Sequence, residues 1–225
     1  MEEYEYSARD IAYIGLPFNA PTLLKMYSQG IFPWPHEDEP SLWFAPQKRG
    51  ILSFDELHIP SSLIKKIKKQ NFTFSCNQNF EAVMRACAER SRKNQSGTWI
   101  IEELIPAYCE LQKKGYALSL ECWRDQELIG GIYGVWIQNY FSAESMFGLE
   151  SDVSKLCLLK LISLLQWSGS EWLDIQMVTS VTHQFGGRYV SKKDFTRMLL
   201  QALKSSPKLG SSLNINELPW PASVK

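Results

Sequence analysis

N-Y-F-S-A-E-S-M-F, residues 139–147, is the stretch on which the reading of the fold turns. Tyr140, Phe141 and Phe147 give it strand character. Strand alternation places Tyr140, Ser142, Glu144 and Met146 on one face and Phe141, Ala143, Ser145 and Phe147 on the other. A carboxylate between two aromatic-rich ends of a central strand is unusual, because burying it unpaired is costly. Glu144 therefore either meets water at a sheet edge, pairs with an arginine, or belongs to a functional site.

Working outward, residues 116–123 and 127–136 read as two strands joined at Arg124-Asp125-Gln126, and with 140–147 they make a three-strand antiparallel meander. Gly130, Gly131 and Gly134 interrupt the middle strand, which predicts a bulge or the close approach of a ligand. After the meander, 154–167 is an apolar helix closed by Gly169, and W-L-D-I-Q-M-V, 172–178, is a further strand with Asp174 and Gln176 on one face. Gly186-Gly187 predicts a turn, and Ser191 can cap a last helix running to about Lys204. Before the meander, helices are predicted over 21–29, 60–70, from Asn79 to about residue 90, and over 101–113. Pro106 calls for a late start or a kink in the last of these. Short strands are predicted at 51–54 and 72–75.

This order implies an α+β chain with a mixed sheet, and it is the element order of the GNAT acetyltransferase fold. The boundary is expected near residue 56. Residues 1–55 would form a small N-terminal domain, and 56–225 a GNAT-like domain with a mixed, mostly antiparallel sheet flanked by helices.

Lys+Arg and Asp+Glu are both 24, so a polyanion would have to be held by a local patch. Two clusters offer one: Lys65, Lys66, Lys68 and Lys69 on the 60–70 helix, and Arg90, Arg92 and Lys93 just before a polar loop. A solvated helix face would look the same. Phe32, Trp34, Trp43 and Phe44 are either a small core or a surface on which a base stacks. The five cysteines form no C-x-x-C pair, which predicts reduced thiols in a cytoplasmic protein and no metal site. The acidic start lacks an apolar signal core, and no run approaches the roughly 18 apolar residues of a membrane helix. No membrane partner is expected.

Six motifs then resemble one family in order and spacing. They are G-I-F-P-W (30–34), L-W-F-A-P (42–46), G-T-W-I (97–100), G-G-I-Y-G (130–134), A-E-S-M-F (143–147) and L-D-I-Q (173–176). Together they resemble the leucyl/phenylalanyl-tRNA–protein transferases over about residues 14–195. The resemblance implies an aminoacyltransferase that moves Leu or Phe from aminoacyl-tRNA to proteins beginning with Arg or Lys, marking them for degradation, with Met a third candidate donor. It implies a GNAT-like domain working without a cofactor and without acetyl-CoA. Departures from the family's usual pattern stand at Phe44, Val181 and 190–192.

On this reading Asp174 polarises the side chain of Gln176, whose oxygen accepts from the attacking amine. Glu144 holds the cationic N-terminal residue of the acceptor. Met146 belongs to the pocket for the Leu or Phe side chain, and Ser142 and Tyr133 join the substrate site. Trp43 and Trp99 stack on the terminal adenine, and the basic clusters meet tRNA phosphates. Asp174→Asn is expected to remove a charge and spare the fold. The alternatives are a GNAT-fold N-acyltransferase or cell-wall peptide enzyme using another acyl donor, and a non-catalytic tRNA-binding module.

Overall fold

A computed structural model describes residues 7–35, 40–67, 72–89, 99–207 and 214–221. The chain begins with β1 (Ile11–Ile14), α1 (Ala20–Tyr27), β2 (Phe32–Pro33) and β3 (Leu42–Phe44), and these strands form a small antiparallel sheet in the order β1-β3-β2. Asn19 starts α1 by accepting the Thr22 N–H on its side chain, with proline in the first turn. Gly30, at φ 75°, turns the chain out of the helix toward β2.

The larger sheet takes β4 (Lys48–Ser53) and, after α2 (Ser61–Ile67), β5 (Thr73–Cys76). Then follow α3 (Phe80–Glu89), α4 (Leu104–Lys113), and the meander β6 (Ala117–Arg124), β7 (Glu127–Ile137) and β8 (Tyr140–Gly148). It is completed by α5 (Val153–Ser168), β9 (Trp172–Gln176), α6 (Ser180–Gln184), β10 (Arg188–Ser191) and α7 (Lys192–Lys204). The spatial order is β10-β4-β9-β8-β7-β6-β5. Every neighbouring pair is antiparallel except β8 and β9, which run parallel. One face packs on α1, α3, α4 and α7, and the other on α5, whose buried leucines fill that layer. The α+β architecture, with a small N-terminal domain before a mixed, mostly antiparallel sheet flanked by helices, is the one expected.

Four details refine the expectation. The two sheets change over between β3 and β4, because β4 is an interior strand of the large sheet. α4 does start late, at Leu104, which leaves Pro106 in its first turn where the missing N–H is harmless. β9 stops at Gln176, not at residue 178. The expected turn forms at Gly186, at φ 96°, and two short elements that were not expected, α6 and β10, flank it.

The most consequential detail is a bulge in β8. Tyr133 of β7 faces Ser145, but its neighbour Gly134 faces Ala143, so Glu144 is an extra residue without a partner. Alternation therefore changes phase at Glu144. Tyr140 and Phe147 point to the layer of α1, α3 and α4, while Phe141, Ala143 and Met146 point to the layer of α5. Gly134 is required opposite the bulge, since a Cβ there would lie 2.2 Å from the Ser142 carbonyl oxygen.

Candidate active site

β8 and β9 share one registered pair, Ser142 opposite Asp174. Beyond it both strands run on to line a cavity of about 260 Å³. Ile132, Met146, Leu158, Ile175, Met177 and Val181 make its wall apolar. Glu144 and Gln176 supply polar groups, and Trp34 and Trp99 stand at the lining with ring centroids 6.0 Å apart and planes 17° from parallel.

Behind the cavity is a fully buried ion pair. Arg49 on β4 meets Asp174 through Nε to Oδ1 at 2.8 Å and Nη2 to Oδ2 at 2.7 Å, a bidentate fork. The Tyr140 hydroxyl donates to Oδ2 at 2.6 Å, and the backbone N–H of Gln176 donates to Oδ1 at 3.0 Å. The guanidinium lies between the rings of Phe32 and Phe195, at 4.4 and 4.7 Å, and its Nη1 donates to the Gly30 carbonyl at 3.1 Å. A single side chain thus ties the N-terminal domain to the end of β9.

That tie matters because Gln176 has φ 51°, a left-handed conformation costly for a residue with a Cβ. The Met177 N–H reaches the Ile175 carbonyl at 2.5 Å, closing a three-residue turn centred on Gln176. Asp174 holds the turn's central N–H, and Gly50 makes room for it; a Cβ on Gly50 would come within 2.9 Å of the Met177 backbone. In this conformation Gln176 Nε2 donates to Ser142 Oγ at 2.8 Å and to Glu144 Oε1 at 3.1 Å. No described residue donates to the amide oxygen Oε1.

Glu144 receives hydroxyls as well. Ser142 Oγ donates to its Oε1 at 3.0 Å, and the Tyr27 and Tyr108 hydroxyls, 2.5 Å from one another, share one proton between them and leave a single uncharged O–H for Glu144. Burial pushes its carboxyl up to about 7; the Tyr27 and Ser142 hydrogen bonds oppose the rise, Asp174 adds to it, and Arg49 opposes it again. Burial also raises both phenols well above their ordinary range, so they stay neutral donors.

The residues singled out from sequence divide accordingly. Glu144, Gln176, Met146 and Trp99 come together at the cavity. Asp174 lies behind it and touches the backbone of Gln176, not its side chain, so the expected polarisation of the Gln176 amide by Asp174 is corrected to support of the turn. Ser142 is buried and bridges Gln176 and Glu144 from behind. Tyr133 is buried edge-on to Phe80 and Tyr108, with no surface toward the cavity. Trp43 is also fully buried, tilted on Phe18 with its Nε1 donating to the Leu16 carbonyl, and offers no face to an adenine. Of the four aromatics at 32–44, Trp34 alone reaches the cavity.

Lys65 is exposed, whereas Lys66 is held by the Ser151 carbonyl and Asp152. Lys68, Lys69, Arg90 and Arg92 lie outside the described residues. Sequence reading missed Arg49, Tyr27 and Tyr108. The available signal was weak: Arg49 stands in a strand-like run, K-R-G-I-L-S, where an arginine needs an acid, but nothing local names Asp174.

Residues 51–200 match the family model for leucyl/phenylalanyl-tRNA protein transferase, and residues 17–47 match the model for its N-terminal domain. A relative from Hydrogenovibrio crunogenus named leucyl/phenylalanyl-tRNA–protein transferase is 44% identical over 179 residues, 80% of this chain and 70% of its own. Relatives of the same name from Syntrophus aciditrophicus and Idiomarina loihiensis are 43% and 38% identical, over 81% and 90% of this chain and 76% and 85% of theirs. The chain belongs to the leucyl/phenylalanyl-tRNA protein transferase family.

Proposed function

We propose that the protein transfers Leu or Phe from aminoacyl-tRNA to the α-amine of proteins that begin with Arg or Lys, marking them for degradation in the cytoplasm. The observation that carries this is the cavity itself. An apolar wall fits an aliphatic or aromatic side chain, two stacked tryptophans border it, and a glutamine amide oxygen and a carboxylate lie within it. Trp34 and Trp99 are the surfaces for the terminal adenine. Met146 and its neighbours take the donor side chain, with Met as well as Leu and Phe within reach of a thioether-rich wall. Lys65 and Lys66, with the basic residues next to them in sequence, meet tRNA phosphates.

The chemistry is aminolysis of an ester. The acceptor's nitrogen forms a bond to the aminoacyl carbonyl carbon, the bond to the ribose oxygen breaks, and one amine proton ends on the released ribose hydroxyl. An α-amine has a pKa of about 8, so roughly a tenth is neutral at pH 7 and little base help is needed. Gln176 Oε1 accepts from that amine and orients it. Glu144 supplies the negative charge beside the cationic side chain. Asp174 and Arg49 hold the Gln176 turn and take no part in proton transfer.

The test is incubation with radiolabelled Leu-tRNA, Phe-tRNA and acetyl-CoA, each beside a protein starting with Arg and one starting with a neutral residue. Label on the Arg-starting protein from the two tRNAs alone supports the reading. Acetyl transfer, or no transfer with intact tRNA binding, would replace it with an N-acyltransferase or a tRNA-binding module.

A further inference from the structure

Glu144 makes a contact that cation recognition does not require. Its Oε1 accepts from Gln176 Nε2 at 3.1 Å, and Ser142 Oγ, itself bonded to Glu144, accepts from the same nitrogen at 2.8 Å. An amide has a donor end and an acceptor end, and a neighbouring carboxylate accepts only. While Glu144 is ionised, the amide has one favourable orientation, with Nε2 toward Glu144 and Oε1 turned away from it. A neutral carboxyl can also donate, so both orientations become comparable in energy. The flipped amide would present its NH₂ to the acceptor amine, and two donors then face each other.

We propose that Glu144 is a positioning residue as well as a cation contact: its ionised carboxylate fixes which end of the Gln176 amide meets the acceptor amine, so that a cationic N-terminal residue, by keeping that carboxylate ionised, turns its own recognition into rate. This rests on the function proposed above and assigns the acceptor selectivity to kcat in addition to KM.

The surroundings of Glu144 make its ionisation responsive. Ser142 from its own strand donates to it, and the Tyr27 and Tyr108 pair from α1 and α4, which shares one proton internally, has a single neutral O–H left for it. A cation that acts on it, Arg49 on β4, is already held by Asp174 on β9, whose charge acts against ionisation. Thus no group within the site fully compensates the carboxylate, and its acidity sits at about 7, where a substrate cation has most influence. The bulge is the structural cause, because it places Glu144 where regular alternation would not.

The experiment compares two peptides identical except for arginine or citrulline at the N-terminus, with Phe-tRNA as donor and kcat measured at saturating peptide from pH 6 to 8. The two side chains have nearly the same shape, and the α-amines titrate alike, so the amine's own pH dependence cancels in the ratio. Between pH 8 and 6 a carboxylate with a pKa near 7 falls from roughly nine-tenths to one-tenth ionised. Because a neutral carboxyl leaves the two amide orientations about equally populated, half of the protonated sites stay productive, and the citrulline peptide should lose about twofold in kcat relative to the arginine peptide. In Glu144→Gln the kcat ratio should be independent of pH.

Glu144→Asp keeps a charge in the cavity but withdraws it from Nε2. It should lower kcat for both peptides while preserving their KM ratio, and it covers the case in which the glutamine variant fails to fold. A kcat ratio that stays constant with pH in the unsubstituted protein, or variants that alter KM alone, would overturn the proposal and leave Glu144 a cation contact only. Absence of transfer to the arginine peptide by the unsubstituted protein would instead sink the proposed function, so the two failures are distinguishable.

Discussion

Asp174→Asn is nearly isosteric, yet the structure makes it a severe substitution. The lost charge is the partner of Arg49, whose side chain is 1% exposed and cannot reach water without opening both layers of the core. Two charge-assisted hydrogen bonds weaken, and the cation is left buried between Phe32 and Phe195. Removing one member of a buried pair costs about 3–5 kcal/mol, a large part of the roughly 5–15 kcal/mol that holds an ordinary domain together. At about 2–4 °C per kcal/mol for a chain of this size, Tm should fall by about 6–20 °C. Thermal melts and urea titrations measure this directly, at a pH where the other carboxylates are ionised. Arg49→Met with Asp174→Leu should lose far less than the sum of the two single substitutions, because the pair is removed as a unit. If Asp174→Asn melts within about 2 °C of the parent while activity collapses, Asp174 acts in the chemistry and its supporting role is wrong.

Gly50→Ala pushes a methyl group against the Gln176 turn and should lower kcat at least tenfold with donor binding retained; an unchanged kcat would show that the turn's position is immaterial. Met146→Ala enlarges the cavity wall and should shift the preference between Leu and Phe donors by roughly 1–3 kcal/mol, read from the ratio of kcat/KM; equal losses for both would make Met146 core. Glu144 has its carboxyl raised from 4.5 to about 7 in the folded chain, so its contribution to stability is fully present below about pH 4.5 and lost as pH rises through 7. Glu144→Gln should accordingly gain stability relative to the parent on going from pH 5 to pH 8, by up to about 3 kcal/mol in urea titrations, and a difference that does not vary with pH would contradict the raised acidity. Reversing the charge of Lys65 and Lys66 should weaken all tRNAs alike and flatten the salt dependence by about one log unit for each phosphate no longer neutralised; an unaltered slope would return them to an ordinary solvated helix face.

Much of the architecture was legible because its elements carry strong local signals. Ser191 caps α7 as its position suggested, by accepting the Asp194 N–H. Asp125 and Gln126 both take positive φ in the tight turn of the meander, and Gly169 closes α5 at φ 97°. The site was less legible, because its decisive features are departures from periodicity. Alternation assigned Met146 to the face of Tyr140, and an inserted residue turned it to the α5 side of the sheet. Alternation likewise joined Asp174 to Gln176 through their side chains, whereas the turn at Gln176 leaves only its backbone on Asp174. Arg49 and Asp174 are 125 positions apart, and pairing at that separation has no local signature. Trp43 and Trp34 are alike in sequence company, and only the small sheet separates a core residue from one at the cavity.

The bond from Arg49 to the Gly30 carbonyl bears on how such proteins can be recombined. A first domain grafted from a relative would have to bring a backbone carbonyl and an aromatic ring to the same guanidinium, or the graft would loosen the glutamine turn one strand away. Crossovers made between the two sheets, around residues 45–47, would therefore succeed mainly when both halves share this bolt. In a shuffled library scored for transfer, the pairing of residues 30 and 32 with residue 49 should be inherited together more often than their spacing along the chain would suggest.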